Sequence, residues 1–327
     1  MLTALSRRGA LATLVAAGLA LLPGVSRAAD KVTEIRLDYA YYNPVSLVLK
    51  DKGYLEEDLR KDGIAVRWVL SLGSNKALEF LNAGSLDFGS TAGAAALIAR
   101  INGNPIKSVY VYSKPEWTAL VTGPNSAITK VEDLKGKRVA VTRGTDPHIF
   151  LVRALNQHKL TDKDVKLVLL QHQDGRLALE KGDVDAWAGL DPLMAQAEID
   201  NGAKLFYRNA AANTWGVLNV REEFAKQQPE LVGRVLRAYE KARAHALANP
   251  AELKATIAAA AKLSEPVAAR QLERTDLSHS AIGETQAATI LEAGLALREA
   301  GVLGADVDVK GAVAALIDPS FAKALTQ

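Results

Sequence analysis

The sequence predicts an α/β protein with a largely parallel sheet and a helical C-terminal part. Three observations predict it. Short apolar, strand-like runs alternate with helix-like stretches from Val32 to about Val220. Several of those runs are followed at once by a good helix N-cap. From Glu222 onward the chain becomes alanine-rich, with Leu231, Val235 and Tyr239 recurring every four residues.

In chain order, the expected strands are Ile35–Tyr41, Ile64–Leu70, Leu86–Gly89, Val109–Tyr112, Thr118–Val121, Arg138–Val141, Val165–Leu170, Asp185–Ala188 and Val217–Val220. Helical stretches fall between most of them: Pro44–Lys52, Asn75–Ala83, Ala94–Asn102, Val131–Leu134, Ile149–His158, Leu177–Lys181 and Pro192–Asn201. After Pro229 the tail predicts helices at Pro250–Lys262, Pro266–Thr275 and Gly283–Ala300, with a short one after Asp308. One internal echo stands out. Leu81-x-x-Gly84-x-x-Asp87 matches Leu179-x-x-Gly182-x-x-Asp185, each a helix end, a turn and a strand. Two related units, or simply two helices ending at glycine, would produce it.

The chain has 327 residues and a formal charge of +3. Arg7, Arg8 and Arg27 lie in the first 28 residues, which hold no acidic group. Without them 37 basic groups face 37 acidic ones, so charge gives no reason to invoke nucleic acid. The same 28 residues have the parts of a secretory signal. Arg7-Arg8 is the basic start, Ala10 to Leu22 the apolar run, and Ser26-Arg27-Ala28 supplies small residues for a cut after Ala28. Ser6-Arg7-Arg8 hints at twin-arginine export, but Ala10 stands where that motif has a bulky apolar residue, which favours ordinary Sec export. The expectation is a mature protein of about 299 residues outside the cytoplasm, long enough for two domains. Cysteine is absent, which excludes a thiolate zinc cage, an iron–sulfur cluster, a thiol nucleophile and a lipidated cysteine.

Enzyme motifs are missing too. There is no Gly-x-Ser-x-Gly elbow, Walker loop or Gly-x-Gly-x-x-Gly. The five histidines do not pair at metal-ligand spacing, so neither metal nor cofactor is expected. The informative pattern is the row of caps: Asn43 before Pro44, Ser74-Asn75, Thr91 beside Ala92, Thr145-Asp146-Pro147, Asp174, and Asp191-Pro192. In a parallel sheet these helix starts share the carboxyl edge of the strands, where α/β proteins bind ligands. Each start offers free N–H groups and about half a positive charge, so several together cradle a small anion. The neutral caps suit an anion. Asp191 suits an amine at the far end of a ligand, or its own helix. Trp117, Trp187, Trp215, Tyr41 and Tyr42 are candidate walls of an apolar pocket, and Arg143 and His148 flank the Thr145 cap. Trp68, alternating with Val66 and Leu70, reads as core. If Thr91 donates to a buried oxyanion, its loss costs about 1.5–3 kcal/mol of affinity.

Four stretches carry a resemblance in their order and spacing. They are Leu81-Asn-Ala-Gly-Ser-Leu-Asp-Phe-Gly-Ser-Thr91, Val131-Glu-Asp-Leu-Lys-Gly-Lys-Arg-Val-Ala-Val141, Arg143-Gly-Thr-Asp-Pro-His148, and the run from Asp174 to Trp187 leading to Asp191-Pro192. From Ile35 to Asp318 the chain resembles the periplasmic binding proteins of ABC importers for alkanesulfonates, taurine and nitrate, most closely the aliphatic-sulfonate branch. The resemblance implies a type II periplasmic-binding-protein fold, two α/β lobes around a ligand cleft. It implies lobe 1 over residues 29–118 and 221–327 and lobe 2 over 119–220, after a signal over 1–28. It implies a monomeric periplasmic receptor, not an enzyme, with a small anion and the transmembrane subunits of an ABC permease as partners and no nucleic acid. The matching site positions are Tyr41, Tyr42, Asn43, Thr91, Ala92, Thr145, His148, Trp187 and Asp191. Three departures mark this chain. Leu190 precedes Asp191-Pro192 where the family often has Trp, Tyr41-Tyr42 replaces a Gln-Lys pair, and Ala92-Gly-Ala-Ala-Ala96 replaces a Gly-Asp-Ile-Pro-like run. The implied pocket is less charged and more aromatic, which favours larger or aromatic sulfonates or sulfate esters over taurine. Nitrate, taurine or a thiamine-pyrimidine precursor are the alternative ligands.

Overall fold

The computed structural model describes residues 32–325, so the expected signal over residues 1–28 and its cut after Ala28 lie outside the described residues. In chain order the elements are β1 (Glu34–Tyr39), α1 (Pro44–Lys52), α2 (Tyr54–Leu59), β2 (Ala65–Leu70), α3 (Ser74–Asn82), β3 (Phe88–Ala92), α4 (Gly93–Ile101), β4 (Ile106–Pro115) and β5 (Leu120–Thr122). There follow β6 (Arg138–Val141), α5 (Asp146–Gln157), β7 (Lys166–Leu169), α6 (His172–Lys181), β8 (Ala186–Ala188), α7 (Leu193–Asn201), β9 (Lys204–Tyr207) and β10 (Gly216–Arg221). The remainder is α8 (Glu222–Gln227), α9 (Pro229–Ala248), α10 (Pro250–Ala261), α11 (Glu265–Glu273), β11 (Thr275–Asp276), α12 (Glu284–Glu299) and α13 (Val309–Leu316). No helix among the described residues is long and apolar enough to cross a membrane.

Two sheets organise the chain, in the orders β11-β4-β10-β3-β1-β2 and β7-β6-β8-β5-β9. Each holds three parallel strands (β2-β1-β3 and β7-β6-β8) followed by an antiparallel one, β10 or β5. The internal echo is therefore structural. Gly84 and Gly182 both take the left-handed conformation that ends a helix cheaply only at glycine. Asp87 then accepts from the backbone N–H, Nε and Nη2 of Arg36, while Asp185 accepts from the same three groups of Arg138. Each arginine also donates to the glycine carbonyl, at 2.5 Å for Gly84 and 3.1 Å for Gly182.

One expected boundary is corrected. The expected lobe 2, residues 119–220, includes β10, which runs antiparallel between β3 and β4 in the first sheet. The returning chain fills the gap between those strands, so their backbone groups are paired and Val217, Leu218 and Val220 are wholly buried. The chain changes sheet at Trp117–Thr118 and comes back at Asn213–Thr214. The two passages are tied together, since Asn213 Oδ1 accepts from the Thr118 N–H at 2.9 Å.

Most helix positions follow local chemistry. Asn43 caps α1 through the Ser46 N–H at 3.1 Å, Pro44 takes the first helical position, and Gly53 closes the helix in the left-handed region. Two helices start more than one residue earlier than expected: α5 at Asp146 and α6 at His172, five residues before Leu177. Gly175, which discourages a helix assignment, is needed where it stands. A Cβ there would lie 2.8 Å from Trp187 Nε1, so α6 rests on the tryptophan through glycine. Strand β9 and helix α2 have too few residues to show a period, and neither was expected. Trp68 is half-buried on the outer strand β2, with Nε1 donating to Glu56 at 2.7 Å, and is not core.

Candidate functional site

A cavity of about 400 Å³ opens between the two sheets. The loops after β1 and β2 bring Tyr41, Tyr42, Ser71 and Leu72 to one side. The starts of α6 and α7 face them with Gln171, His172, Leu190, Pro192 and Leu193, and residues 261–263 of the tail form a third side. At the start of α6 the N–H groups of His172, Gln173 and Asp174 are left without a carbonyl of the helix, whereas in α7 those of Met194, Ala195 and Gln196 are taken by the Leu190 carbonyl, Asp191 Oδ1 and the Pro192 carbonyl.

Tyr42 is fixed from behind. Its hydroxyl donates to the Ser90 carbonyl at 3.0 Å, and its ring meets Trp117 edge-on with centroids 6.0 Å apart. The Tyr41 carbonyl accepts from Gln271 Nε2 at 2.7 Å. Gln271 lies in α11 and Arg274 just beyond it, so this one stretch of the tail also reaches Asp191 across the cavity. Arg274 Nη1 lies 3.4 Å from Asp191 Oδ2, and Nη2 pairs with Glu198. Asp191 further accepts from the Ala195 N–H of its own helix at 2.9 Å.

Burial dominates the Asp191 carboxyl and pushes it up to about 7, with Arg274 opposing. Its ordinary value is about 3.9, so folding favours the protonated form. The stability this group contributes is complete below pH ~4 and is lost as pH rises through about 7. Compared with an Asp191→Asn variant, the wild type should therefore lose relative stability between pH 4.5 and 7.5. Urea denaturation of both at several pH values measures it, and a difference independent of pH contradicts it.

His172 is buried, and burial pushes its imidazole down to about 3, so it is neutral at physiological pH. Beside it Asn75 Nδ2 donates to Gln171 Oε1 at 3.5 Å, a contact that joins α3 to the start of α6. Arg176, one turn further along α6, pairs through Nη1 with Glu180.

Of the residues singled out in the sequence, Tyr41, Tyr42 and Asp191 line the cavity. Asn75 touches its edge through Gln171. Asn43 is buried one residue beyond Tyr42 and gives its amide to Ser90 Oγ at 2.8 Å. Ser74 is turned to β3, its Oγ accepting from the Ala92 N–H at 3.0 Å. Thr91 does not reach the cavity. Its hydroxyl donates to the Ala92 carbonyl and accepts from Asn219 Nδ2 at 2.8 Å, so it is engaged within the fold and not with a ligand in the cavity. Thr145 donates to the Thr142 carbonyl at 2.6 Å. His148 is half-buried, its imidazole held below the usual value by burial and then by Arg143, whose own side chain is exposed. Trp117 donates to Asp146 at 2.8 Å behind Tyr42, Trp187 is buried under α6, and Trp215 packs against Thr289 and His279. Trp117 and Trp187 stand behind wall residues, whereas Trp215 and its contacts are not among the lining residues.

Sequence reasoning missed Gln171, His172, Arg176, Leu193 and residues 261–263. Arg176 lies inside a quoted motif, but the late helix start concealed that His172 and Arg176 share a face. Asp174 was read as the cap, whereas Gln171 precedes the first helical residue.

Residues 45–253 match the family model described as NMT1/THI5 like. The chain belongs to the NMT1/THI5-like family. Within this family it is 30% identical over 263 residues to a putative aliphatic sulfonates-binding protein of Escherichia coli, covering 80% of this chain and 82% of the relative. It is 27% identical over 222 residues to a like-named protein of Bacillus subtilis, covering 67% of each. At 24% over 229 residues it also matches a 4-amino-5-hydroxymethyl-2-methylpyrimidine phosphate synthase of Saccharomyces cerevisiae. The crystal structure of the periplasmic aliphatic sulphonate binding protein SsuA from Escherichia coli superposes with a TM-score of 0.73 at 27% identity, covering 85% of this chain and 91% of that one. The fold is that of the periplasmic binding proteins.

Proposed function

We infer that the chain is the periplasmic solute-binding receptor of an ABC importer and that it captures a small organosulfur oxyanion in the cavity between the two sheets. The observation that carries this reading is the cavity itself, walled by the starts of α6 and α7 on one side and the β1 and β2 loops on the other. A sulfonate has no proton at neutral pH and needs donors only. The start of α6 and neutral side chains supply donors, and the nearby carboxylate Asp191 is already occupied by Arg274. In this reading the two sheets are the cores of two lobes, joined at Trp117–Thr118 and Asn213–Thr214. A ligand touching both favours their closed arrangement, which the permease then recognises.

The receptor reading is preferred to an enzymatic one because the matches at 30% and 27% identity are named as binding proteins, and the synthases lie further off at 24%. The absence of cysteine agrees, as it removes the thiol nucleophile. The test is a binding panel. Purified protein is titrated with alkanesulfonates, arylsulfonates, a sulfate ester, taurine, nitrate, phosphate and an aminopyrimidine. At a hundred times Kd the bound ligand should add about 2.7 kcal/mol of stability and be recovered unchanged. Binding of nitrate or the pyrimidine, with silence toward every organosulfur anion, overturns the reading.

A further inference from the structure

Helix α6 meets the cavity with polar groups that the fold leaves unused. His172 is 2% exposed, yet neither ring nitrogen has a hydrogen-bond partner among the described residues. Arg176 is 8% exposed, and while Nη1 is held by Glu180, Nε has no partner among the described residues. The two stand at i and i+4, on one face of α6, and both line the cavity. Buried polar groups are nearly always hydrogen-bonded. An imidazole and a guanidinium nitrogen that are both unpaired in one cavity wall call for a ligand rich in acceptors. The free N–H groups of the first turn of α6 add donors beside them.

The rest of the wall is mainly apolar, with Ser71, Gln171, Gln173, Gln196 and Lys262 as its polar residues beside Asp191. Leu72, Leu190, Leu193 and Leu263 face the cavity, with Tyr41 beside them. Leu72 is 55% exposed, which leaves apolar surface for a ligand to cover. Among the lining residues the carboxylate is Asp191, which Arg274 and the Ala195 N–H occupy. An ammonium group entering the cavity therefore finds no free anion.

We propose that His172 and Arg176 hold the anionic head of the ligand while its apolar body lies on the leucine wall, so that the receptor selects alkyl- or arylsulfonates and discriminates against zwitterionic aminosulfonates. This rests on the reading of the chain as an organosulfur receptor. The neutral imidazole donates one N–H to a sulfonate oxygen, Arg176 Nε donates to another, and the hydrocarbon part displaces water from Leu72 and its neighbours.

The experiment is calorimetric titration of the full chain with hexanesulfonate, benzenesulfonate and taurine. The wild type is compared with His172→Ala, His172→Gln and Arg176→Met, and melting of each unliganded variant is the folding control. His172→Ala and Arg176→Met should each weaken hexanesulfonate about 10–100-fold, the worth of a hydrogen bond to a charged group. His172→Gln, which keeps an N–H donor, should recover much of the loss. The wild type should bind hexanesulfonate at least tenfold more tightly than taurine. If the wild type binds hexanesulfonate and both truncations bind it within twofold, the head assignment is overturned and the receptor reading stands. Taurine bound as tightly as hexanesulfonate overturns the apolar-body assignment. Silence of the wild type toward all three overturns the proposal together with the reading beneath it.

Discussion

Replacing Arg274 with alanine is expected to lower the unfolding free energy by about 3–5 kcal/mol at pH 8, the range for removing one member of a buried ion pair. The Arg274 side chain is 6% exposed and that of Asp191 2%, so both members of the pair are buried. Glu198, which also pairs with Arg274, keeps Arg270 as a partner at 3.5 Å, whereas among the described residues Asp191 keeps only the Ala195 N–H. Because Arg274 opposes the upward push of burial on Asp191, its removal raises that carboxyl above its present value near 7. Folding then favours the protonated form more strongly, and the stability held at low pH is lost as pH rises. The deficit of Arg274→Ala should accordingly be smaller at pH 5.5 than at pH 8. Urea denaturation at both values measures it. A deficit under about 1 kcal/mol at pH 8 would show that the pair does little for the fold.

Asp146→Ala is expected to cost about 3 kcal/mol or more, since it strands several buried donors at about 1–3 kcal/mol each. Asp146 is buried at the start of α5. It accepts from Trp117 Nε1 at 2.8 Å, from the Thr214 N–H at 3.1 Å and from Thr214 Oγ1 at 2.7 Å. Trp117 and Thr214 stand on the two passages between the sheets, so one carboxyl fastens both passages to the second sheet. Burial raises its pKa against these hydrogen bonds. Asp146→Asn keeps the shape and one acceptor oxygen and should cost less than alanine. Thermal and urea unfolding compare the two. Equal costs would assign the effect to the charge instead of the acceptor geometry.

The legible parts of the fold were those written in local chemistry. Asn43-Pro44 and Gly53 frame α1 from both ends, and the expected span Pro44–Lys52 is the observed one. Arg138–Val141 is likewise as expected, since an apolar run between turns has few other uses. The echo at Asp87 and Asp185 was visible as spacing, but its cause, an arginine on the neighbouring parallel strand, lies about 50 residues away in each case. The site was less legible for the same reason. Thr91 looks like a cap until Asn219, 128 residues later, is found on its hydroxyl. Asp191 looks like a free acid until Arg274, 83 residues later, reaches it. His172 was passed over because one sequence does not reveal which histidine becomes buried without a partner. The row of caps points to the carboxyl edge of the strands, and the cavity opens there. Which caps face the cavity and which are consumed by the fold is decided by tertiary contacts.

The proposed anion site is the cavity between the β1–β2 loops and the starts of α6 and α7. A crystal structure with bromobenzenesulfonate, collected at the bromine absorption edge, tests it most directly. One strong anomalous peak is expected inside the cavity, with the ring against the leucine wall and the sulfonate oxygens within hydrogen-bond distance of His172 and Arg176. A peak outside the cavity, or a ligand touching one sheet's loops alone, would contradict it.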